Sequence, residues 1–359
     1  MFRNRKKEIL LALATTLLSS IAGLILIETY YLNSRYSSVC EICQFHPQLG
    51  WETIPSKTVS NKKVTYTTNS LGMRSGEVDK DKGHILLVGD SVTFGLGVNN
   101  NETISHYLAR DNREFQILNL GVPGYGIGQY FLNLKRHIDK LNTKLIVLII
   151  YTSNDLDETR KDIRYGISKP FFHYQDGDLI YHNPKISKYS CSNIYSRSRI
   201  VKHLIPNFII NQCKSKVIEI NKASRTIAKL IDEIRILGLK KNISTLIVLS
   251  PSLTAVEWVD CREKIGRVGE DIDLCRDLDP GFEMYYNYFS KMMDLYQLPY
   301  IDFLEDLVAY NKQKKIKHLY NDNGEDIHHY SPQGNLLLAK AIAKRIKVTS
   351  GEKITLNEN

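Results

Sequence analysis

From residue 84 onward, short continuous apolar runs alternate along the chain with stretches of helical periodicity. Such runs are typical of strands that are buried on both faces of a parallel sheet. Strands are predicted at 85–88, 115–120, 144–151, 243–249 and 300–303. The helical stretches between them predict helices on both faces of the sheet, so the pattern indicates an α/β fold.

The helical stretches carry their own signals. One helix is predicted at about 128–141, with apolar residues recurring on one face. A long amphipathic helix begins near residue 217, and another helix covers 282–295. The final helix is predicted to begin at Pro332, a residue that favours the first helical position, with Ser331 as its N-cap.

Irregular regions interrupt this rhythm. Residues 32–83 are polar and turn-rich, and they predict a stalk or leader that ends in an element packed on the main domain. Residues 156–214 are too long for an ordinary connection in such a fold and predict an inserted lid or binding segment. Residues 252–280 predict a second irregular region, and residues 349–359 predict a flexible tail. The main domain is therefore assigned to 84–348.

The N-terminal segment, 1–31, predicts a membrane anchor. Basic residues at 3–7 precede nineteen uncharged residues, 9–27. As a helix, such a run crosses a hydrocarbon core of roughly 30 Å. Basic residues stay on the cytoplasmic side, so the rest of the chain is expected outside the cytoplasm, in the periplasm. A cleaved signal peptide is the alternative, but the apolar run continues beyond its candidate cleavage site at 20–22, which favours an uncleaved anchor.

Charge narrows the set of partners. The chain of 359 residues has a formal net charge of +9, which attracts anionic lipid, envelope polymers or nucleic acid. No arginine-rich arm, zinc-finger spacing or RNP-like aromatic motif accompanies this charge, so a solvated basic surface is favoured over nucleic-acid binding. No metal-ligand constellation or phosphate-binding loop stands out, so neither a metal nor another cofactor is expected. The sequence leaves the oligomeric state open.

The six cysteines are compatible with an oxidising compartment, where disulfides form. Proximity along the chain suggests three pairs, although six cysteines allow fifteen pairings. The suggested pairs are Cys40 with Cys43, Cys191 with Cys213, and Cys261 with Cys275. A redox or metal role for the pair at 40–43 is the alternative, and the absence of a second such motif disfavours it.

The turn after the first predicted strand places a hydroxyl group where open α/β sheets bind their ligands. Gly89 and Asp90 end the apolar run, and Ser91 follows them at the carboxyl end of the strand. A serine nucleophile needs a base and a group that orients the base. Asp326 lies three residues ahead of His329, directly before the final helix, and at that spacing a carboxylate can reach the imidazole Nδ1.

Candidate oxyanion donors follow the second and third predicted strands. Gly124 could turn its backbone N–H toward the site, and the side-chain amide of Asn154 could supply a second donor. Each also has an ordinary structural interpretation, since Gly124 could serve only a turn and Asn154 could bond only the local backbone. Loops at the ends of neighbouring parallel strands open on one edge of the sheet, so these groups can converge.

Four ordered blocks together resemble the SGNH, or GDSL-type, hydrolase family. The blocks are Gly89-Asp90-Ser91, Gly124 in the run NLGVPG, Asn154, and Asp326 with His329. The resemblance covers roughly 84–347 and implies a three-layer α/β/α, flavodoxin-like fold with a five-stranded parallel sheet. It also implies catalysis by Ser91, Asp326 and His329, with an oxyanion hole formed by the Ser91 N–H, the Gly124 N–H and the Asn154 side chain.

Two positions depart from the family pattern or leave it ambiguous. Thr152 stands where the family usually has glycine, so its Cβ could narrow the loop that carries Asn154. His328 stands beside His329, and the spacing from Asp326 favours His329 as the base. The segments 46–51 and 69–74 also look like the leader of membrane-anchored bacterial members.

The leading hypothesis is a membrane-anchored, periplasmic serine esterase that cleaves acyl or acetyl esters of lipids or envelope glycans. An O-acyltransferase would use the same acyl-enzyme and pass the acyl group to a sugar hydroxyl instead of water. A non-catalytic protein that binds envelope carbohydrate or a protein partner is the third alternative. The combination of Ser91, Asp326 and His329 favours an enzyme, because a binding module has no need of all three.

Overall fold

A five-stranded parallel sheet forms the centre of the computed structural model. The model describes residues 5, 7–8, 11–23, 41–60, 64–165, 167–184, 217–268, 282–312, 316–324, 326–349 and 353–356. The sheet strands are β1 (Gly83–Val88), β2 (Phe115–Asn119), β3 (Thr143–Tyr151), β4 (Ser244–Ser250) and β5 (Tyr300–Asp302). Their order across the sheet is β5-β4-β3-β1-β2, and each neighbouring pair is parallel. The predicted α/β fold with a five-stranded parallel sheet is confirmed.

Helices connect these strands. They are α1 (Ser91–Phe94), α2 (Ile104–Asp111), α3 (Ile127–His137), α4 (Asp155–Thr159), α5 (Ile220–Leu239), α6 (Leu253–Val268), α7 (Phe282–Leu295), α8 (Phe303–Asn311) and α9 (Pro332–Arg345). Single 3-10 turns occur at Asn100–Glu102, Ile138–Lys140, Ile316–Leu319 and Asn321–Gly324. As the sequence predicts, the final helix has Pro332 in its first turn and Ser331 as its N-cap, whose hydroxyl accepts a hydrogen bond from the N–H of Gly334.

Alternate residues of each sheet strand face opposite layers of the core. In β1, Leu86 and Val88 belong to one buried cluster, which includes residues of α3 and α5. Ile85 and Leu87 belong to the other, which includes residues of α2, α8 and α9. Both faces of the sheet are therefore covered by helices, which explains why the strands read as continuous apolar runs.

Antiparallel two-stranded ribbons occur in addition to the central sheet. They pair Cys43–His46 with Gly50–Thr53, Thr58–Ser60 with Thr65–Thr67, Ile163–Arg164 with Ile167–Ser168, Phe171–Gln175 with Asp178–His182, and Ile346–Thr349 with Lys353–Leu356. The first two ribbons lie in the leader. Leu49 and Trp51 are fully buried and share the α3 and α5 side of the core, so this part of the leader is packed into the domain.

Three local expectations are wrong. Residues 253–268 form the helix α6, whereas the sequence predicted an irregular region. The last sheet strand stops at Asp302 because that residue caps α8, its side chain accepting a hydrogen bond from the N–H of Leu304. The tail predicted as flexible contains the strand Lys353–Leu356, which pairs with Ile346–Thr349, and Ile354 is buried in the core.

Only part of the N-terminal segment and two of the six cysteines lie among the described residues. Residues 11–23 are helical, and the rest of the predicted anchor falls largely outside the described residues. Within the described part of the chain, no helix combines the length and the apolar character needed to cross a bilayer. Cys43 and Cys261 are disulfide-bonded. The other four cysteines are outside the described part of the chain, so the suggested pairings remain predictions. Residues 185–216, which make up about half of the predicted insertion, also lie outside the described residues, so the role of the insertion as a lid or binding segment remains a prediction.

Candidate active site

The turn after β1 is built to present Ser91. At Gly89 a Cβ would collide with the side chain of Thr93 and would lie 2.8 Å from the carbonyl oxygen of Ile149, so only glycine fits there. Asp90 caps α1, because its Oδ1 accepts a hydrogen bond of 2.9 Å from the N–H of Val92. Ser91 is the first residue of α1, at the carboxyl edge of the sheet, and is 8% exposed.

His329 reaches Ser91 from the other end of the chain. Its Nε2 lies 2.9 Å from Ser91 Oγ, and its Nδ1 lies 2.8 Å from Asp326 Oδ2. An ionised carboxylate can only accept, so in the neutral imidazole Nδ1 carries the proton and donates to Asp326. Nε2 is then left as the acceptor of the Ser91 hydroxyl proton. The structure thus brings together the three residues that the sequence singled out as nucleophile, base and orienting acid.

Backbone contacts fix the loop that carries Asp326 and His329. The second carboxylate oxygen of Asp326 accepts hydrogen bonds from the N–H groups of His328 and His329, at 3.1 and 3.2 Å. The carbonyl oxygen of His329 accepts from the N–H of Asn321 at 2.9 Å, and that of Ile327 accepts from the N–H of Leu253 at 3.0 Å. The imidazole is therefore held in place before any substrate binds.

Electrostatics keep the Asp326 carboxylate ionised. Burial by itself would raise the pKa of this group, but the hydrogen bond and the charge of His329, together with the two backbone N–H groups, outweigh it. The net effect is a pKa below the ordinary value of 3.8. Asp90 behaves in the opposite way, since it is fully buried and burial raises its pKa despite the hydrogen bond from Val92.

Asn154 lies next to the nucleophile turn. Its Nδ2 is 3.5 Å from Asp90 Oδ2, and the same carboxylate oxygen is 3.5 Å from Ser91 Oγ. The Oδ1 of Asn154 is buried and has no hydrogen-bond partner among the described residues. Thr152, at the position where the resemblance expects glycine, is fully buried, and its hydroxyl donates to the carbonyl oxygen of Ser250 at 3.4 Å. Its side chain is therefore directed toward β4.

The loop that carries Gly124 packs against the nucleophile turn. The N–H of Val122 donates to the carbonyl oxygen of Gly89 at 3.2 Å. Gly124 itself has a φ of +76°, in the left-handed region that favours glycine. The indole Nε1 of Trp51, in the leader, donates to the carbonyl oxygen of Pro123 at 2.9 Å. A leader residue therefore holds the loop that the sequence predicted as an oxyanion element.

Several residues around the site were not found by sequence reasoning. Tyr151, at the end of β3, bonds through its hydroxyl group to Nδ1 of His328 at 2.8 Å. Asp155 is fully buried and accepts from the Tyr130 hydroxyl at 2.6 Å and from the Tyr151 N–H at 2.8 Å. Burial, followed by the charge of Asp90, raises the pKa of Asp155 well above its ordinary value. Its position directly after Asn154 was the only signal in the sequence.

Arg74 is a second leader residue that supports the site. It is nearly buried, and its guanidinium donates to the carbonyl oxygens of Phe94, Gly95 and Val98, at 2.5 to 2.9 Å. These carbonyl groups belong to the end of α1 and the loop that follows it. Burial lowers the pKa of Arg74 to about 10. The leader thus contacts two loops near Ser91. Trp51 holds the loop that carries Gly124, and Arg74 holds the loop that follows α1.

Metal ligands are not clustered in the described part of the chain, where no group of three or more histidine, cysteine or acidic side chains could hold an ion. Comparison with known proteins gives no family model and no curated protein that matches this chain.

Several solved structures are similar to the chain over about three quarters of its length. One is an acetyl xylan esterase, AlAXEase, with 14% identity, a TM-score of 0.41, and coverage of 73% of this chain and 98% of the other. Another is a member of the lipolytic G-D-S-L family from Veillonella parvula, with 13% identity, a TM-score of 0.40, and coverage of 73% and 97%. A third is a lipase/acylhydrolase from Enterococcus faecalis, with 14% identity, a TM-score of 0.39, and coverage of 77% and 99%.

Proposed function

We propose that this chain is a serine-dependent esterase of the SGNH type, with Ser91 as nucleophile, His329 as general base and acid, and Asp326 as the group that orients His329. The observation that carries the proposal is the hydrogen-bonded series Ser91 Oγ, His329 Nε2, His329 Nδ1 and Asp326 Oδ2, with distances of 2.9 and 2.8 Å. Three side chains in this order are what activation of a serine hydroxyl requires.

In the first half of the reaction, Ser91 Oγ attacks the ester carbonyl carbon and its proton passes to Nε2 of His329. The Asp326 carboxylate stabilises the imidazolium that forms. The negative charge that develops on the carbonyl oxygen is assigned to donors from the Ser91 N–H, the Gly124 N–H and the Asn154 amide. The C–O bond to the alcohol then breaks, and His329 returns the proton to the departing alkoxide.

In the second half, water attacks the acyl group on Ser91. His329 Nε2 takes a proton from this water, the bond between Ser91 Oγ and the acyl carbon breaks, and the proton returns to Ser91. The products are the free acid and the restored hydroxyl group. The position of Asn154 supports its assigned role, because among the described residues its Nδ2 has a single, long contact of 3.5 Å to Asp90 and can turn toward a developing oxyanion.

The substrate class assigned to this site is an acyl or acetyl ester of a lipid or an envelope glycan. The test is hydrolysis of p-nitrophenyl acetate by the full-length protein and by Ser91→Ala. We expect the variant to lose activity by a factor of about 10³ or more, because the nucleophile is removed. Ser60→Ala is the matched control, since Ser60 is exposed in a leader ribbon and pairs only with Thr65 among the contacts described. A Ser91→Ala protein that keeps the wild-type rate would contradict the proposal.

We also propose that residues 9–27 anchor the chain in a membrane and that the domain is periplasmic. The support is the uncharged run of nineteen residues after a basic tip. Full-length protein is expected in the membrane fraction after carbonate washing, with its domain accessible to protease only from the periplasmic side. Release of intact, full-length protein by the wash would contradict the anchor.

A further inference from the structure

An exposed aromatic ring stands beside the predicted oxyanion loop. Tyr165 belongs to the insertion, between the paired segments Ile163–Arg164 and Ile167–Ser168, and is 45% exposed. A Cβ on Gly124 would lie 2.7 Å from Cε2 of the Tyr165 ring and 3.3 Å from its hydroxyl oxygen. The absence of a side chain at Gly124 therefore lets the ring lie directly against the loop that flanks Ser91.

The backbone of Tyr165 is held in an unusual conformation. Its φ is +52°, in the left-handed region that bulky residues rarely adopt. Such conformations persist where the surrounding structure fixes them, and they concentrate at sites that bind ligands or substrates. A glycine would adopt this backbone conformation without strain, so the presence of a tyrosine here favours a role for its side chain in binding.

Neighbouring side chains also hold the Tyr165 ring in place. The Arg164 guanidinium carbon lies 4.4 Å from the centre of the Tyr165 ring, and its Nη2 donates to the Tyr165 hydroxyl oxygen at 3.3 Å. The same guanidinium pairs through Nη1 with the buried carboxylate of Glu158 at 2.6 Å. Trp51 meets the ring at an angle of 65°, with 6.3 Å between centroids. An exposed aromatic ring is thus ordered before any ligand binds.

We infer that Tyr165 forms a binding platform for the alcohol part of the ester, and that this part is a carbohydrate ring. The inference rests on the proposed esterase function and specifies its substrate. The Arg164 guanidinium lies over one face of the Tyr165 ring, so a sugar would pack its C–H face on the other, with the phenol hydroxyl group available to bond a sugar hydroxyl group. An alkyl chain would use the ring but would offer no hydrogen bond to the Tyr165 hydroxyl group or to the Arg164 guanidinium beside it.

The position of the platform agrees with this assignment. Gly124 lies two residues after Val122, whose N–H bonds to Gly89, and Gly89 lies two residues before Ser91. The platform is thus connected to the nucleophile turn through the loop that carries Gly124, and the proposal places a sugar ring resting on Tyr165 next to the ester bond that Ser91 attacks. Tyr165 touches the substrate without taking part in proton transfer, so its effect falls on KM and not on the chemistry of small esters.

The test compares two acetate esters of primary alcohols, methyl 6-O-acetyl-β-D-glucopyranoside and ethyl acetate, which differ in the sugar ring. For full-length Tyr165→Ala we expect KM for the sugar ester to rise roughly tenfold and kcat/KM for ethyl acetate to stay within about twofold. Tyr165→Phe keeps the ring and is expected to stay within about threefold of wild type on both esters. The matched control is Tyr296→Ala, because Tyr296 is 53% exposed and lies just before β5, at the opposite edge of the sheet from Ser91.

The outcomes separate this inference from the proposed function. Wild-type protein that hydrolyses neither ester and does not react at Ser91 with a fluorophosphonate contradicts the esterase itself. Wild-type protein that hydrolyses ethyl acetate but not the sugar ester overturns the carbohydrate platform alone. The platform is also overturned if Tyr165→Ala lowers both activities equally or neither. Fluorophosphonate labelling of Tyr165→Ala at the wild-type rate establishes that the variant is folded.

Discussion

Tyr151 and His328 are joined by a hydrogen bond of 2.8 Å between the phenol oxygen and Nδ1, and their rings meet edge to face. Tyr151 is buried at the end of β3, so the bond ties the exposed His328 to the sheet. The adjacent His329 has different partners, Ser91 and Asp326. Two consecutive histidines thus have separate environments, and only His329 contacts the nucleophile among the contacts described.

The first prediction follows from this separation. His329→Ala removes the base and is expected to lower kcat for p-nitrophenyl acetate by a factor of about 10³ or more. His328→Ala removes the hydrogen bond with Tyr151 but keeps the base, and it is expected to lower kcat by no more than about tenfold, through looser positioning of the neighbouring His329. Steady-state kinetics of the two variants check this. Equal losses of kcat in the two variants, or a greater loss in His328→Ala, would contradict the assignment of His329 as the base.

Asp326→Asn is predicted to leave the fold intact and to lower kcat by a factor of about 10² to 10⁴, because an amide favours the wrong tautomer of His329. The same substitution has a pH signature. The folded-state pKa of Asp326 is below 3.8, so its contribution to stability is present above that value and is lost as the pH falls through the folded-state pKa. Urea unfolding at pH 7 and pH 3 checks this. A stability difference between wild type and variant that grows on acidification would contradict it.

Trp51→Phe tests the support of the Gly124 loop by the leader. The variant keeps an aromatic ring in a fully buried position but leaves the Pro123 carbonyl oxygen without the indole N–H. We expect a loss of about 1–3 kcal/mol in the free energy of unfolding and a fall of several-fold in kcat. The control is Trp258→Phe, the other tryptophan, on α6. Unchanged kcat in Trp51→Phe, or an equal fall of kcat in both variants, would contradict the claim that the leader supports the Gly124 loop.

Asp302 gives a prediction on stability alone. Burial raises the pKa of this α8 cap to about 6, so its favourable contribution is complete below 3.8 and is lost as the pH rises through about 6. Asp302→Asn can still accept the hydrogen bond from Leu304 without becoming charged. On going from pH 4 to pH 7.5, the free energy of unfolding of the variant is expected to rise by about 1–3 kcal/mol relative to that of wild type, as measured by urea unfolding at the two pH values. An equal difference at both pH values would contradict the assigned cause.

Local patterns explain what could be predicted of the fold. Strands β1 and β3 are buried on both faces, so each is a continuous apolar run that is easily recognised among the more polar segments around it. Segments whose order depends on distant contacts did not stand out. Lys353–Leu356 pairs with Ile346–Thr349 and is held against the domain by Ile354, which is buried in the core, and α6 follows Pro251 in a stretch with a weakly amphipathic pattern.

The candidate site divides in the same way. The proximity of Asp326 and His329 follows from their spacing, and that of Ser91 from the rule that ligands bind at the carboxyl edge of a parallel sheet. The contact of Trp51 with Pro123 spans 72 residues, and that of Tyr165 with Gly124 joins an insertion to a loop. No local periodicity encodes such contacts. Phe171 and Phe172, in the same insertion, are buried, and Phe172 packs against α3 at Gly128.

The most direct test of the central claim is covalent labelling of the full-length protein with a fluorophosphonate, followed by intact-mass measurement and peptide mapping. The account predicts a single adduct on Ser91, because a base 2.9 Å away activates that hydroxyl group. The adduct is expected to be absent in Ser91→Ala and to form far more slowly in His329→Ala. Folded protein that gives no adduct, or an adduct on another residue that persists in Ser91→Ala, would contradict the account.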